Sequence, residues 1–127
     1  MSVARAAVAP HLAVGRAAED AACRFLQRAG YRIVTRNFRH RLGELDIVAI
    51  EAGVLALVEV RYRSGCRFGG AAASVTASKR RRLVRAAEVL LKRHPGLASL
   101  PARFDFVEVG ATARGLDCRL VRAAFSL

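Results

Sequence analysis

Residues 43 to 63, GELDIVAIEAGVLALVEVRYR, read as two apolar β-strands folded back on each other about Ala52-Gly53. Short runs of Val, Ile and Leu punctuated by Gly43, Gly53 and Gly65 favour strand over helix. A two-residue turn at Ala52-Gly53, or a four-residue loop from Glu51 to Val54, fixes a single register. Glu51 then faces Val54, Asp46 faces Glu59, and Glu44 faces Arg61. With side chains alternating along each strand, Glu44, Asp46, Val48 and Ile50 share a face with Leu55, Leu57, Glu59 and Arg61. That face is apolar at the turn and charged at its open end.

This arrangement is electrostatically demanding. Directly opposed residues on neighbouring strands have Cβ atoms ~4.5–5.5 Å apart, and like charges there repel. Two carboxylates at the rim of a core cost stability unless a cation lies between them or one of them stays protonated. A hard divalent ion such as Mg²⁺, which prefers carboxylate oxygens and keeps several waters, meets that requirement. So does an ordinary ion-pair network, with Glu44 on Arg61 and with Asp46 and Glu59 sharing Arg61 or Arg63.

The remaining segments arrange themselves around this hairpin. Ala18, Ala22, Phe25, Leu26 and Ala29 recur at helical spacing, which predicts a helix from Ala13 to Ala29 closed by Gly30. At ~100° per residue, Glu19 falls roughly 60° from the centre of the apolar stripe, at the margin facing the sheet. Asp20 points nearly opposite, towards solvent. Residues 31–38 read as a strand, and 65–74 as a Gly- and Ala-rich loop pinned by Phe68. Thr76 or Ser78 caps a second helix carrying Leu83, Ala87, Leu90 and Leu91, which ends before Pro95. Two further strands follow, in ARFDFVEVG and LDCRLVRAAF. The order α-β-β-β-α-β-β predicts one α/β domain over residues 13–127, with helices packed on a mixed central sheet. Residues 1–12 read as a disordered lead-in.

Charge narrows the class of partner. The chain has 127 residues, with 22 Lys plus Arg against 10 Asp plus Glu, for a net charge of +12. At 54% apolar residues it is a globular chain rather than a disordered one, and the charge anticipates an anionic partner. Only Lys79 and Lys92 are lysine; arginine suits bidentate phosphate contacts. Lys79, Arg80, Arg81 and Arg82 open the second helix. With Arg36, Arg39, Arg41 and Arg63 they are the candidate surface for following a nucleic-acid backbone. No apolar run approaches the ~20 residues of a membrane helix, and Pro10 and His11 interrupt any signal-like run, so a cytoplasmic protein without membrane contact is expected. Cys23, Cys66 and Cys118 are widely spaced and read as reduced thiols. His11, His40 and His94 show no metal-ligand spacing; His40 reads as a surface turn residue.

The collinear motifs GRAAEDAACRFLQRAGYRIVTRNFR, GELDIVAI, LVEVRYRS, FGGAAASVTASKRRRL and RFDFVEV resemble the YraN-like family of bacterial proteins, from about Gly15 to Phe125. The resemblance implies a restriction-endonuclease-like fold with an α-β-β-β-α-β core, similar to archaeal Holliday-junction resolvases. It implies an Mg²⁺- or Mn²⁺-dependent nuclease hydrolysing phosphodiester bonds in structured or branched DNA, and by analogy with the resolvases a homodimer. Matched position by position, Glu19 is the helix acid, Asp46 the first-strand acid and Glu59 the acid of an acid-x-basic pair. The backbone carbonyl of Val60 completes the implied metal set. Lys79 matches the family's VTASK segment. Arg61 stands where the nuclease signature has lysine; arginine stays protonated and can stabilise a phosphoryl group but cannot act as a base. Three outcomes stay open: the attacking water needs no protein base, Lys79 substitutes for the missing lysine, or catalysis is lost. A non-catalytic nucleic-acid-binding protein that keeps the fold is the alternative, and a basic adaptor whose acids are ion pairs is a third.

Overall fold

The computed structural model describes residues 10–63 and 76–125. The glycine-rich segment with Cys66 and Phe68, and residues 1–9, lie outside the described residues. The hairpin forms in the expected register. Strands β2 (Gly43–Glu51) and β3 (Val54–Arg63) run antiparallel, with Glu51 opposite Val54, Ile50 opposite Leu55 and Ile47 opposite Val58. Ala52 and Gly53 both take positive φ, at 52° and 77°, the twist that a two-residue hairpin turn requires.

Strand β1 (Arg32–His40) pairs antiparallel with the outer side of β2. Beyond β3 lie β4 (Ala102–Thr112), parallel to it, and β5 (Gly115–Phe125), antiparallel to β4. The result is a five-stranded mixed sheet in the order β1-β2-β3-β4-β5. A parallel neighbour needs a crossover, and the connection from β3 to β4 includes helix α2 (Ala77–Arg93) and the short α3 (Pro95–Ala98). Helix α1 (Pro10–Arg28) covers the other face. Ala18, Ala22 and Leu26 of α1 pack on Ile47, Ala49, Ala56, Val58, Val107 and Val109. Leu83, Ala86, Ala87 and Leu90 of α2 pack on Val48, Leu55, Leu57, Phe104, Phe106 and Phe125. This is the expected α/β layering, with strand alternation dividing the core between the two helices. Among the described residues no helix is long and apolar enough to cross a membrane.

Two helix starts follow local chemistry. Helix α1 begins at Pro10, earlier than the hydrophobic pattern suggests, so residues 10–12 of the expected lead-in are helical. Proline suits a first turn because its missing N–H would have no intrahelical partner there. At α2, Thr76 is the cap: its Oγ1 accepts the Lys79 N–H at 3.0 Å.

Midway along β4, opposite Val58 of β3, Asp105 is fully buried. It accepts hydrogen bonds from the Tyr31 hydroxyl, Arg103 Nε and the Ala123 N–H, each at 2.9 Å. Arg103 also donates to Glu51 at 2.7 Å. Ala123 reaches Asp105 by adopting φ 50° beside an irregularity in the β4–β5 pairing. This network ties Tyr31, just before β1, to β2, β4 and β5.

At the open end of the hairpin, Gly43 lies against the backbone of α2. A Cβ at Gly43 would collide with the Arg82 carbonyl oxygen, whereas one at the helical Gly15 would meet nothing within 4 Å. Gly43→Ala should therefore lower unfolding free energy by about 1–3 kcal/mol in urea titration. Gly15→Ala should raise it by about 0.5–1 kcal/mol through the unfolded chain. A neutral Gly43→Ala would show that the close approach is not a constraint.

Candidate functional site

The side-chain alternation of β2 reverses within its open half. Leu45 packs in the cluster under α2, while Ile47 packs in the cluster under α1, although an unbroken pleat would place both on one face. Asp46 lies between them. Across from it on β1, Asn37 adopts φ 55° between the pairs Arg36–Ile47 and Phe38–Leu45; asparagine tolerates that left-handed region better than most residues. The backbone pairing of β2 with β3 runs from the turn as far as Ile47–Val58. Beyond it, the Val60 N–H donates to Asp46 Oδ2 at 2.8 Å. The side chain thus takes over from the strand backbone. For this reason the expected opposition of Glu44 to Arg61 does not form, and Glu44 instead lies 3.7 Å from Arg39.

The carboxylates of Asp46 and Glu59 are neighbours. Burial first, and then the charge of Glu59, push Asp46 from 3.8 up to about 7, with the Val60 N–H pulling in the opposite direction. Glu59 is buried. The Lys79 Nζ lies 2.6 Å from its Oε2, and Arg61 Nε lies 3.9 Å from the same oxygen. Arg61 also stacks its guanidinium 5.8 Å from the centre of the Phe106 ring. Both ways of tolerating paired acids are therefore in use: one holds a proton into the neutral range, and the other holds a cation.

Glu19 closes the site from α1, with its side chain 14% exposed. Arg36 Nε and Nη2 and Asn37 Nδ2 all donate to its Oε1, at 3.0, 2.8 and 2.9 Å. Among the described residues none donates to Oε2. Arg36 also reaches Asp20 at 2.7 Å, so Asp20, expected in solvent, is ion-paired at the surface. Arg36, expected among the phosphate-tracking arginines, is committed to the two helix acids. Its five fixed donors suit that role.

Two clefts meet at Asp46 and Val60. One, of about 520 Å³, opens towards α2 and is lined by His40, Arg41, Glu59, Lys79 and Arg82 among others. The other, of about 470 Å³, opens towards α1 and includes Arg16, Glu19, Asn37, Arg39 and Tyr62. The structure thus gathers Asp46, Glu59, Val60, Lys79, Arg41 and Arg82, with Glu19 and Arg39 on the second side. Arg80 lies over the Phe125 ring at 5.0 Å, and Arg81 is exposed farther along α2. Arg63 is half-buried at the end of β3. His40, at the end of β1 rather than in the turn itself, accepts the Leu42 N–H on Nδ1 at 3.2 Å. Cys23 and Cys118 are free thiols whose burial raises both. Among the described residues, no three His, Cys, Asp or Glu side chains form a ready metal-binding group. The donors that fit a hard divalent ion are the Asp46–Glu59 pair, with Glu19 across the cleft. Asn37, Arg16 and Tyr62 went unremarked in the sequence. An asparagine breaking the run YRIVTRNF was the one visible signal.

The family model described as "Uncharacterised protein family UPF0102" matches residues 18–109, which include Asp46, Glu59, Val60 and Lys79. A UPF0102 protein of Symbiobacterium thermophilum is 50% identical over 113 residues, covering 88% of this chain and 95% of that protein. One from Xanthomonas campestris is 54% identical over 94 residues, 74% of this chain and 77% of that protein. One from Ralstonia nicotianae is 51% identical over 105 residues, 79% of each.

The proton on Asp46 has a measurable consequence. Between about pH 4 and pH 7 the folded chain keeps a proton that the unfolded chain releases, so stability falls as pH rises through that window and levels off above it. In EDTA, the melting temperature of the wild type should drop between pH 5 and pH 8. Asp46→Asn should flatten that slope and melt several degrees above wild type at pH 8. Parallel pH profiles for the two proteins would remove Asp46 as the titrating group.

Proposed function

The chain belongs to the UPF0102 family, and we propose that it is a divalent-metal-dependent nuclease acting on structured or branched DNA. The observation that carries this proposal is the Asp46–Glu59 pair, two acids forced together in a cleft walled by Arg41, Lys79 and Arg82. Such a pair favours a small multivalent cation over a proton once the pH passes neutrality. The arginine- and lysine-lined walls favour a phosphate-bearing ligand.

Asp46, Glu59 and the Val60 carbonyl are the groups that would hold Mg²⁺ or Mn²⁺, with Glu19 bound directly or through water. Such an ion supplies Lewis acidity towards a phosphoryl oxygen and lowers the pKa of a coordinated water. Arg36 and Asn37 fix Glu19 by one oxygen, which orients the other carboxylate oxygen before any ligand arrives. Arg61 stays charged and stabilises negative charge on the phosphoryl group. Lys79, set by the Thr76 cap at the start of α2, is the side chain here that can exchange a proton with the attacking water or the leaving oxygen. Arg41 and Arg82 hold the flanking phosphates.

A second reading has its own support. The 2.6 Å contact between Lys79 and Glu59 supplies an internal counterion, as expected of a non-catalytic nucleic-acid-binding protein that keeps the acids as a structural pair.

Activity and metal affinity separate the two. Four-way junctions, flaps and single strands incubated with Mg²⁺ or Mn²⁺ should be cut by the wild type and not in EDTA. Asp46→Ala and Glu59→Ala should each lose on the order of 100-fold or more. Binding without cutting at every divalent ion would favour the non-catalytic protein. In calorimetry, Mn²⁺ binding should release protons and tighten from pH 6 to pH 8, because Asp46 must give up its proton. An affinity independent of pH would argue against Asp46 as a ligand.

A further inference from the structure

The cleft on the α1 side contains an aromatic ring that packing among the described residues does not explain. Tyr62 lies on β3 two residues past Val60 and is 37% exposed. The chain's other tyrosine, Tyr31, is 3% exposed and bonded through its hydroxyl to Asp105, Arg103 and Arg122. Tyr62 instead shares its cleft with Gly15, Arg16, Ala18 and Arg39. The α1 wall is low here: no atom lies within 4 Å of where a Cβ on Gly15 would be. Arg16 is exposed, and Arg39 is 73% exposed in the side chain, with a 3.7 Å contact to Glu44 as its one ion pair among the described residues. An exposed pair of that length holds an arginine weakly. The same cleft ends on Asp46 and Val60, and its volume of about 470 Å³ is in the range of small-ligand sites.

A flat apolar face flanked by two available guanidiniums is the chemistry that receives a nucleotide. We propose that this cleft is a subsite for one unpaired nucleotide, whose base stacks on Tyr62 while Arg16 and Arg39 hold its phosphates. The nucleotide lies next to the phosphodiester presented to Asp46 and Glu59. The proposal rests on the nucleic-acid reading above and narrows the substrate. In a continuous duplex the base faces are covered by their neighbours, so Tyr62 selects a single strand, a flap or an opened junction. Stacking is sequence-tolerant, so the subsite reads the state of the strand rather than its bases.

The chain has no tryptophan and two tyrosines, and only Tyr62 is exposed, so intrinsic emission reports the contact directly. The experiment titrates the full chain with an oligo-dT strand and with a blunt duplex of equal length, in EDTA at low salt. Oligo-dT should quench tyrosine emission and the duplex should not. Tyr62→Phe, which leaves Tyr31 as the sole emitter, should bind oligo-dT within about two-fold of wild type but lose the quench. Tyr62→Ala should weaken oligo-dT binding on the order of 10-fold and leave duplex binding unchanged. Oligo-dT binding without quenching, or undiminished in Tyr62→Ala, overturns the subsite while the metal-centred reading stands. If neither nucleic acid binds, the nucleic-acid reading falls and takes the subsite with it. Because no metal is present, loss of cutting alone touches neither result.

Discussion

Asp46 accepts the Val60 N–H with a side-chain oxygen at the place where β2 stops pairing with β3 through its backbone. That substitution allows strand polarity and charge to coexist at the rim of an apolar sheet. It satisfies a backbone donor that would otherwise be unpaired, and it fixes the carboxylate against Glu59. It also coincides with the reversal that sends Leu45 under α2 and Ile47 under α1. Asn37 in its left-handed conformation, Glu19 on α1 and Lys79 on α2 are all arranged around this one departure from regular pleating.

The contrast with Asp105 shows why one strand acid is a candidate site and another is not. Asp105 is the more deeply buried, yet it receives a hydroxyl, a guanidinium and a backbone N–H, and the sheet is irregular where β5 bends to supply the last of these. A fully satisfied buried acid rigidifies the fold. Asp46 receives one backbone donor and faces another acid, and burial moves its titration into the neutral range. Unresolved electrostatic demand of that kind, opening on basic-lined clefts, makes Asp46 the candidate position. Asp105 pairs with Val58, one residue before Glu59 on β3, yet its donors come from Tyr31, Arg103 and Ala123, so the stabilising network and the demanding pair do not share partners.

Much of this was legible in the chain. The register of β2 on β3 follows from Ala52-Gly53 alone, because a short turn leaves no freedom to slip. The packed faces of both helices follow from their apolar spacing, and Thr76 from its capping chemistry. The pairing of Glu19, Asp46 and Glu59 in one region came from combining helix phase with strand register. What escaped was whatever broke the period. Counting by two past Ile47 assumes a regular pleat and sets Glu44 against Arg61, whereas the strand has already turned. The contacts of Arg36 with Glu19 and Asp20 cross between elements, beyond any local pattern. Tyr62 was invisible for the opposite reason: alternation put it on the α1 face, but only the low wall at Gly15 leaves it open.

The contact between Lys79 and Glu59 gives the centre a particular charge economy. Lys79 lies 2.6 Å and Arg61 3.9 Å from the same Glu59 oxygen, so two cations face the acid beside Asp46. Were Asp46 to lose its proton and Lys79 to swing clear, two positive charges would leave together, the same number that one alkaline-earth-type ion carries in. On the proposed metal reading, such an exchange would leave the charge of the centre unchanged.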